Sequence, residues 1–540
     1  MDDVAQLVTR AALEAPGRTA VVDEDGRSLT WAELEDEVDR LATGLAQAGV
    51  LGGHRVVLAL GNRVELVTAY LGVLRAQAVA VPVNPHATAA ELARMVVDSG
   101  ARLLLADEDS IHAARYGLRT IEAALAGVAG AMELFDADLH DRVPPRTELV
   151  VLDGPPEEGE RPFAALRADE PRPAPPLPDP DKLAVLLYTS GVSGRPRAAM
   201  LTHRALLANI DQVARVEPPM IHTDDVILGV LPLFHVYGLN AVLGGVVRHA
   251  ATLVVQRRFD PVGTLDLVAA RGCTMVPVAP AVFRPWLALP DLRERLAGVR
   301  LVLSGSAPLP REVVDQFEQA TGLPVHQGYG LTEAAPVVTS TLHSASPKPG
   351  SVGAVLGGPD GMELRLVDER GVTVEGDDPG EIQLRGPNLF EGYWPDADGG
   401  PDADGWWATG DVGLLDEDGD LFLVDRLKEL VLVSGFNVYP HEVEDVIASL
   451  PEVTEAAVIG VPDEDTGEAV VAYVVAPGLD AGAAEALVRD ACAQRLARFK
   501  QPARIEVVET LPLSVTGKVQ KGRLRGLERR RALELLGEHQ

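Results

Sequence analysis

The 540-residue chain is predicted to be α/β, with a large N-terminal region of layered α/β subdomains and a small β-barrel, followed by a small α+β C-terminal domain. Three observations predict it. Short apolar runs alternate with segments of helical period from residue 30 to about 320, which implies parallel sheet covered by helices. Two capping boxes, Thr30-Trp31-Ala32-Glu33 and Thr88-Ala89-Ala90-Glu91, open helices inside that alternation. Beyond 362 the pattern shortens to strands divided by Gly/Asp turns, and past Arg426 a separate α+β set begins.

In order, Leu34, Val38, Leu41 and Leu45 share one face of the first capped helix. A strand over 54–60, a helix over 63–76 and a strand over 79–83 follow. Residues 155–182 carry nine prolines and many charges without an apolar period, so they read as an extended linker or surface loop. The run 183–187 reads as a buried strand that opens into a loop, and a helical pattern resumes near His203. Strands over 226–231, 252–255, 274–278 and 300–304 then alternate with helices beyond Tyr237, from Pro261 and over 310–320. Strands over 362–367, 381–385 and 421–424 suggest the barrel, at about 350–424. The last set has a strand over 430–433, a helix from His441, strands over 456–460 and 470–476, and a helix from Ala483. The boundary falls at 425–428, giving domains 1–426 and 427–540.

Composition narrows the function classes. The chain is 46% hydrophobic and 24% charged, ordinary for a globular protein. A net charge of −32 argues against nucleic acid, whose phosphates need a basic face. Cys273 and Cys492 are too few and too far apart for a zinc site or disulfide framework and read as buried thiols. The stretch 226–247 is the most membrane-like, but Pro232, His235 and several glycines interrupt it, and the acidic start carries no secretory signal. A soluble cytoplasmic protein is expected.

The organising stretch is Tyr188-Thr189-Ser190-Gly191-Val192-Ser193-Gly194-Arg195-Pro196-Arg197-Ala198. Small residues let backbone N–H groups approach an anion, hydroxyls add neutral donors, and two arginines add charge. It is not a Walker A loop, because no G-x-x-x-x-G-K-[ST] occurs. With 231–238 (LPLFHVYG), 328–333 (GYGLTE), 405–411 (GWWATGD), 425–428 (DRLK), 435–440 (GFNVYP) and 512–518 (PLSVTGK), it closely resembles the adenylate-forming superfamily of acyl-CoA synthetases, adenylation domains and luciferases, nearest the fatty acyl-CoA ligases.

That resemblance implies ATP-dependent activation of a carboxylic acid to an acyl-adenylate, with Mg²⁺, and transfer to the thiol of coenzyme A. Two anions must meet in the first half, so charge neutralisation and positioning carry it. Thr189, Ser190, Gly191, Ser193 and Gly194 would cradle phosphates. Arg197 and Ala198 replace the family's usual Lys-Gly, a non-conservative exchange that suggests altered pyrophosphate handling. Thr332 would touch the α-phosphate and Glu333 ligate Mg²⁺. Gly328, Tyr329 and Gly330, with Ser304, Gly305, Ser306 and Ala307, would hold adenine. Asp411 would accept the ribose hydroxyls and Arg426 add a donor.

Lys518, on a mobile loop of the C-terminal lid domain, would carry adenylation, with Lys428 as hinge and Ser434, Gly435 and Phe436 facing CoA after rotation. His235 would gate the acid and thiol. Tyr237, Asn240, Val278, Ala281, Val282 and Val337, with Ser306 and Gly328, would line an acid pocket suited to a fatty or other apolar acid. An inward Arg284 would instead admit a second carboxylate. Two rival functions stay open, a ligase that loads the phosphopantetheine thiol of an acyl carrier protein and a non-catalytic nucleotide- or acyl-binding homologue. The sequence is compatible with a monomer or a homodimer.

Overall fold

Helix Val64–Arg75 is buried at every residue, and the N-terminal region is layered around it. In the computed structural model, residues 3–135, 147–172, 175, 179–189, 197–307, 309–357, 361–368, 370–374, 378–426, 429–433, 436–463, 466–514 and 517–537 are described. A helix apolar on all sides needs protein on all sides. It packs against helix Trp31–Gln47, and one core cluster joins both helices to the inner faces of two seven-stranded sheets. Strand residues alternate between layers as the period of two requires: Val56 and Leu58 face this core, whereas Val57 and Ala59 face an outer one with helices Ala89–Ser99 and Ile111–Leu125.

The sheets share a plan. The first runs Val325–Gln327, Leu301–Ser304, Met275–Val278, Val226–Gly229, Thr252–Val255, Thr19–Asp23, Ser28–Thr30, parallel except for the last strand. The second runs Arg161–Pro162, Glu148–Val151, Leu103–Ala106, Arg55–Ala59, Val79–Pro82, Leu183–Thr189, Arg197–Thr202, again with only the last strand antiparallel. Both capping boxes form: Thr30 and Thr88 accept from the N–H groups of Glu33 and Glu91, and each glutamate accepts in return. No described helix is long and apolar enough to cross a membrane.

Two expectations need correction. The phosphate-loop strand does not lead straight to a helix: strand Arg197–Thr202 returns antiparallel beside it first. The segment expected to close into a β-barrel forms a four-stranded antiparallel sheet, Glu363–Val367, Gly380–Arg385, Trp407–Leu415, Leu421–Arg426. A two-stranded ribbon joins its last strand through Ala354 and Asp420, and among the described residues the first and last strands do not pair. Past Arg426, strands Phe436–Val438, Val431–Val433, Gly467–Val475 and Glu455–Asp463 form a further sheet, with Arg504–Val507 parallel to Gly467–Val475.

The proline-rich stretch lies on the surface as expected, and it is anchored at a few points. Phe163–Leu166 forms a 3₁₀ turn with Leu166 wholly buried, Arg172 donates its N–H to Thr43 Oγ1 at 2.7 Å, and Arg40 donates to the carbonyl of Ala168 at 3.1 Å. The close approach is made at Gly44, where a Cβ would lie 1.7 Å from the Leu166 carbonyl oxygen. Alanine at an open helical position gains up to about 1 kcal/mol over glycine. Here the overlap dominates, so Gly44→Ala lowers stability by about 2 kcal/mol in chemical denaturation. A gain instead would show that this turn does not rest on the helix.

Candidate active site

Several expected site residues, Thr189, Ser304 and Gly328 among them, lie at or just past the carboxyl ends of sheet strands, where ligands of open α/β sheets bind. Strand Leu183–Thr189 ends at the phosphate loop; Thr189 is paired with Arg197 across the hairpin, and its Oγ1 donates to the Arg197 carbonyl at 3.3 Å. Ser190, Gly191, Ser193 and Gly194 lie outside the described residues. Residues 391–394 extend the sheet by another edge: Met200 donates to the Gly392 carbonyl (3.0 Å), Glu391 to that of Met200 (3.0 Å) and Trp394 to that of Ala198 (2.8 Å). Tyr393 therefore sits opposite Ala199, diagonal to Arg197. The Arg197 guanidinium lies 3.8 Å from the Tyr393 ring centroid, and the phenol donates to Glu333 Oε1 at 2.7 Å.

Glu333 is buried in a one-turn 3₁₀ helix, Thr332–Ala334. The carbonyls after it are each matched to a donor. Phe390 N–H donates to Glu333 O (2.9 Å), Asn388 Nδ2 to Ala334 O (2.7 Å), Asn240 Nδ2 to Ala335 O (2.6 Å), Leu331 N–H to Pro336 O (3.1 Å) and Asn209 Nδ2 to Val337 O (2.8 Å). Asn209 Oδ1 also accepts from Val337 N–H at 3.1 Å, and Gln212 links Asn388 to the same helix at 3.1 Å. A buried carbonyl without a donor costs about 1–3 kcal/mol, so this clamp fixes the path of the loop.

Tyr329, buried, donates to Asp411 Oδ2 at 2.6 Å. Asp411 is buried in strand Trp407–Leu415, with its N–H bonded to Thr409 Oγ1 at 3.0 Å, and is paired with Arg426 on the next strand. Gly328 has no room for a side chain, since a Cβ would meet the Thr339 carbonyl at 2.6 Å. Gly330 is exposed, and Thr332 and Ala307 are half-buried. At the end of strand Leu301–Ser304 the backbone turns through Ser306, which holds a left-handed φ of 78°. That conformation is costly for a residue with a Cβ and marks a constrained turn. Ser304 Oγ is buried with no hydrogen-bond partner among the described residues, as expected of an atom reserved for a ligand.

His235 is positioned by a fastener between the two sheets. Asn62, which follows strand Arg55–Ala59, donates to the carbonyls of Gly229 (3.0 Å) and Leu231 (2.8 Å) and accepts from Leu233 N–H (2.9 Å). The His235 ring packs on Phe234, with centroids 4.7 Å apart, and its Nε2 is buried without a partner among the described residues. Burial, and then the ammonium of Lys518, lower its pKa to about 4, so the ring is neutral. Lys518 is reached because its loop is seated in the cleft: a Cβ on Gly517 would lie 3.2 Å from that of Ala281. The loop is closed by Ser514, which accepts from Gly517 N–H at 2.9 Å and from Lys518 N–H, through Oγ, at 3.0 Å.

The acid-pocket expectation is only partly met. Tyr237, Ala281, Ser306, Gly328 and Val337 keep accessible surface, and Tyr237 packs flush against Gly305, where a Cβ would meet its ring at 2.9 Å. Val278 (0% exposed), Val282 (5%) and Asn240 (1%) are sealed into the core behind that wall. Asn240 was expected to line the pocket with Tyr237, but it lies on the π-helix Tyr237–Gly244. The wider turn rotates fewer degrees per residue and points Asn240 to the carbonyls of Leu206 (3.1 Å) and Ala335. Arg284 is exposed on helix Phe283–Leu287, whose Phe283 and Trp286 are buried. Of the remaining residues, Lys428, Ser434 and Gly435 lie outside the described residues, Phe436 begins strand Phe436–Val438 and Arg426 ends strand Leu421–Arg426.

Sequence reasoning missed Tyr393, Asn62, Asn209 and Asn388. One signal was available: Asn209 and Gln212 interrupt the apolar face of helix His203–Ala214, where a polar group needs partners. The donor set suits a nucleotide, with the unpartnered Ser304 hydroxyl, the side-chain-free approach at Gly328 and the buried Asp411. It also suits Mg²⁺ bound jointly with phosphate. No cluster of three His, Cys, Asp or Glu side chains able to hold a metal alone occurs among the described residues, and the carboxylate present is that of Glu333.

The family model for AMP-binding enzymes matches residues 8–394, and that for the AMP-binding enzyme C-terminal domain matches 442–518. The chain is 34% identical over 522 residues to 4-coumarate–CoA ligase 5 of Oryza sativa subsp. japonica, covering 94% of this chain and 91% of that one. It is 32% identical over 528 residues to a long-chain-fatty-acid–CoA ligase of Bacillus subtilis, covering 96% and 93%. ATP-bound MatB from Rhodopseudomonas palustris superposes with a TM-score of 0.83 at 31% identity, over 98% of this chain and 99% of that one.

The His235–Lys518 contact can be read by titration. The folded pKa of about 4 lies below the ordinary 6.5, so the unfolded chain takes the proton first and stability is lost as pH falls between those values. The imidazole resonances should titrate near 4, and Lys518→Ala should raise that midpoint. A midpoint unmoved by the substitution would mean that the lysine loop is not seated beside the ring.

Proposed function

The chain belongs to the AMP-binding enzyme family and is an AMP-forming acid–thiol ligase; from that premise we propose that it converts an apolar carboxylic acid, aliphatic or aryl, to its acyl-adenylate and then to its CoA thioester. The observation that carries the choice of acid is the wall itself. Its accessible residues Tyr237, Ala281, Ser306, Gly328 and Val337 are all neutral, and Arg284 lies on an exposed helix face. An acid with a second carboxylate would have to leave that charge unpaired against this surface, which costs more than burying an alkyl or aryl tail gains. The names of the relatives, which include 4-coumarate and long-chain fatty-acid ligases, support both tail types without choosing between them.

In this reading Asp411 accepts the ribose hydroxyls, with Tyr329 fixing its carboxylate, and Ser304 and Gly328 face the adenine. Glu333 would hold Mg²⁺, which would supply positive charge against the phosphates. Lys518 bridges the incoming carboxylate and the α-phosphate, two anions that otherwise repel. His235 stays neutral, so it does not trap the acid as a permanent ion pair, and its Nε2 is the atom left for the substrate. Lys428, with Ser434, Gly435 and Phe436, belongs to the later thiol step, after the loop of Lys518 withdraws.

Acid-dependent ATP–pyrophosphate exchange tests this with cinnamic, benzoic, medium-chain and long-chain fatty, and short dicarboxylic acids. Exchange is expected with one or more apolar monoacids, with AMP release stimulated by CoA. Lys518→Ala should lower exchange about a hundredfold or more, the order expected for losing a preorganised charge at the reacting centre. Preference for a dicarboxylic acid would overturn the apolar assignment.

A further inference from the structure

The contact between Arg197, Tyr393 and Glu333 has no role in the reaction just described. Arg197 stands where the family resemblance implies a lysine, and its guanidinium lies over the Tyr393 ring, 3.8 Å from the centroid. A lysine ammonium is a point charge on a flexible stem, whereas a planar guanidinium can stack on a ring. The tyrosine is held on its other sides as well. Phe390 meets it edge-on at 5.0 Å, Ala199 opposite it carries no bulk, and Gly399 leaves space where a Cβ would lie 3.4 Å from the ring and 3.7 Å from the guanidinium. So held, the phenol donates a hydrogen bond to Glu333 Oε1 at 2.7 Å, and Glu333 Oε2 accepts none from the described residues.

We infer that Tyr393 is a positioning residue for Glu333, and that Arg197 acts on this carboxylate through the tyrosine ring rather than chiefly through phosphate. The inference rests on the reading of Glu333 as the carboxylate that faces magnesium. One oxygen is fixed by the phenol, the backbone of Glu333 is fixed by Phe390, and the second oxygen is thereby turned to a set direction. A magnesium ligand needs such fixing, because the ion demands near-octahedral geometry and tolerates little error in ligand placement. The same stack ties the start of strand Arg197–Thr202, where the phosphate loop returns, to the segment that orients the metal ligand.

The test is equilibrium titration of the full chain with ATP in excess Mg²⁺ and in EDTA, without acid, for wild type, Tyr393→Phe, Glu333→Gln and the pair, with Arg197→Lys alongside. Tyr393→Phe keeps the ring and removes only the donor. It is expected to weaken MgATP binding about tenfold to a hundredfold, the worth of a hydrogen bond to a charged group, with metal-free affinity unchanged. In the Glu333→Gln background it should have no further effect. Arg197→Lys should weaken MgATP binding about twofold to fivefold and spare metal-free ATP.

Equal loss in both conditions for Tyr393→Phe, or a loss that adds to that of Glu333→Gln, would overturn the inference. So would an Arg197→Lys effect of the same size in EDTA, which would assign Arg197 to phosphate directly. If Glu333→Gln left the magnesium increment intact, the reading of Glu333 would fail and this inference with it. If Glu333→Gln removed the increment and Tyr393→Phe did not, only the inference would fail.

Discussion

The site depends on the run of carbonyls from Glu333 to Val337, each matched to a donor, most of them from distant parts of the chain. A one-turn 3₁₀ helix has almost no stability of its own, and its carbonyls could take many directions. Three asparagine side chains and two backbone N–H groups remove that freedom. They come from helix His203–Ala214, the π-helix Tyr237–Gly244, the segment near residue 390 and the loop itself. The cost of leaving any buried carbonyl unmatched is what makes Thr332 and Glu333 a fixed pair rather than two solvated loop residues.

The same economy of shared fasteners joins the two sheets. Asn62 leaves the second sheet and bonds three backbone groups of the loop that leads to His235, so the imidazole is placed by a residue from the other half of the layered core. Lys518 arrives from the small C-terminal region and is registered by contact rather than by a covalent tether, through the near touch of Gly517 and Ala281. A ring with a lowered pKa and a lysine beside it are thus two sides of one arrangement: the ammonium is tolerated because the imidazole does not charge.

What the sequence made legible was periodic or local. Capping boxes carry both of their partners within four residues, and the strands of the parallel sheets carry their own apolar runs, so these elements lie close to where the pattern puts them. Strand Arg197–Thr202 was hidden because two alanines and an arginine give it little strand character; it is made by pairing with its neighbours on either side. Asn240 was misplaced because a π-turn has no clear period in sequence. Tyr393 was invisible for a different reason: its partners Arg197 and Glu333 lie 196 and 60 residues before it, and no local signal marks a contact set by a sheet edge. The proline-rich stretch reads as a linker because the packing that holds it comes from Gly44 and Thr43, on a helix made more than a hundred residues earlier.

The edge strand at 391–394 bears on how the protein is made. On the ribosome, Arg197–Thr202 is complete 189 residues before Glu391, the first residue able to cover its outer edge. Until then the nascent second sheet presents a row of open backbone donors and acceptors, the kind of surface that recruits foreign strands. Synthesis at about 5–20 residues per second leaves that edge bare for roughly ten to forty seconds. Arg197 and Glu333 cannot take up the arrangement that Tyr393 and Phe390 impose before this late seam closes, so a half-made chain is exposed to mispairing while its site is still unassembled.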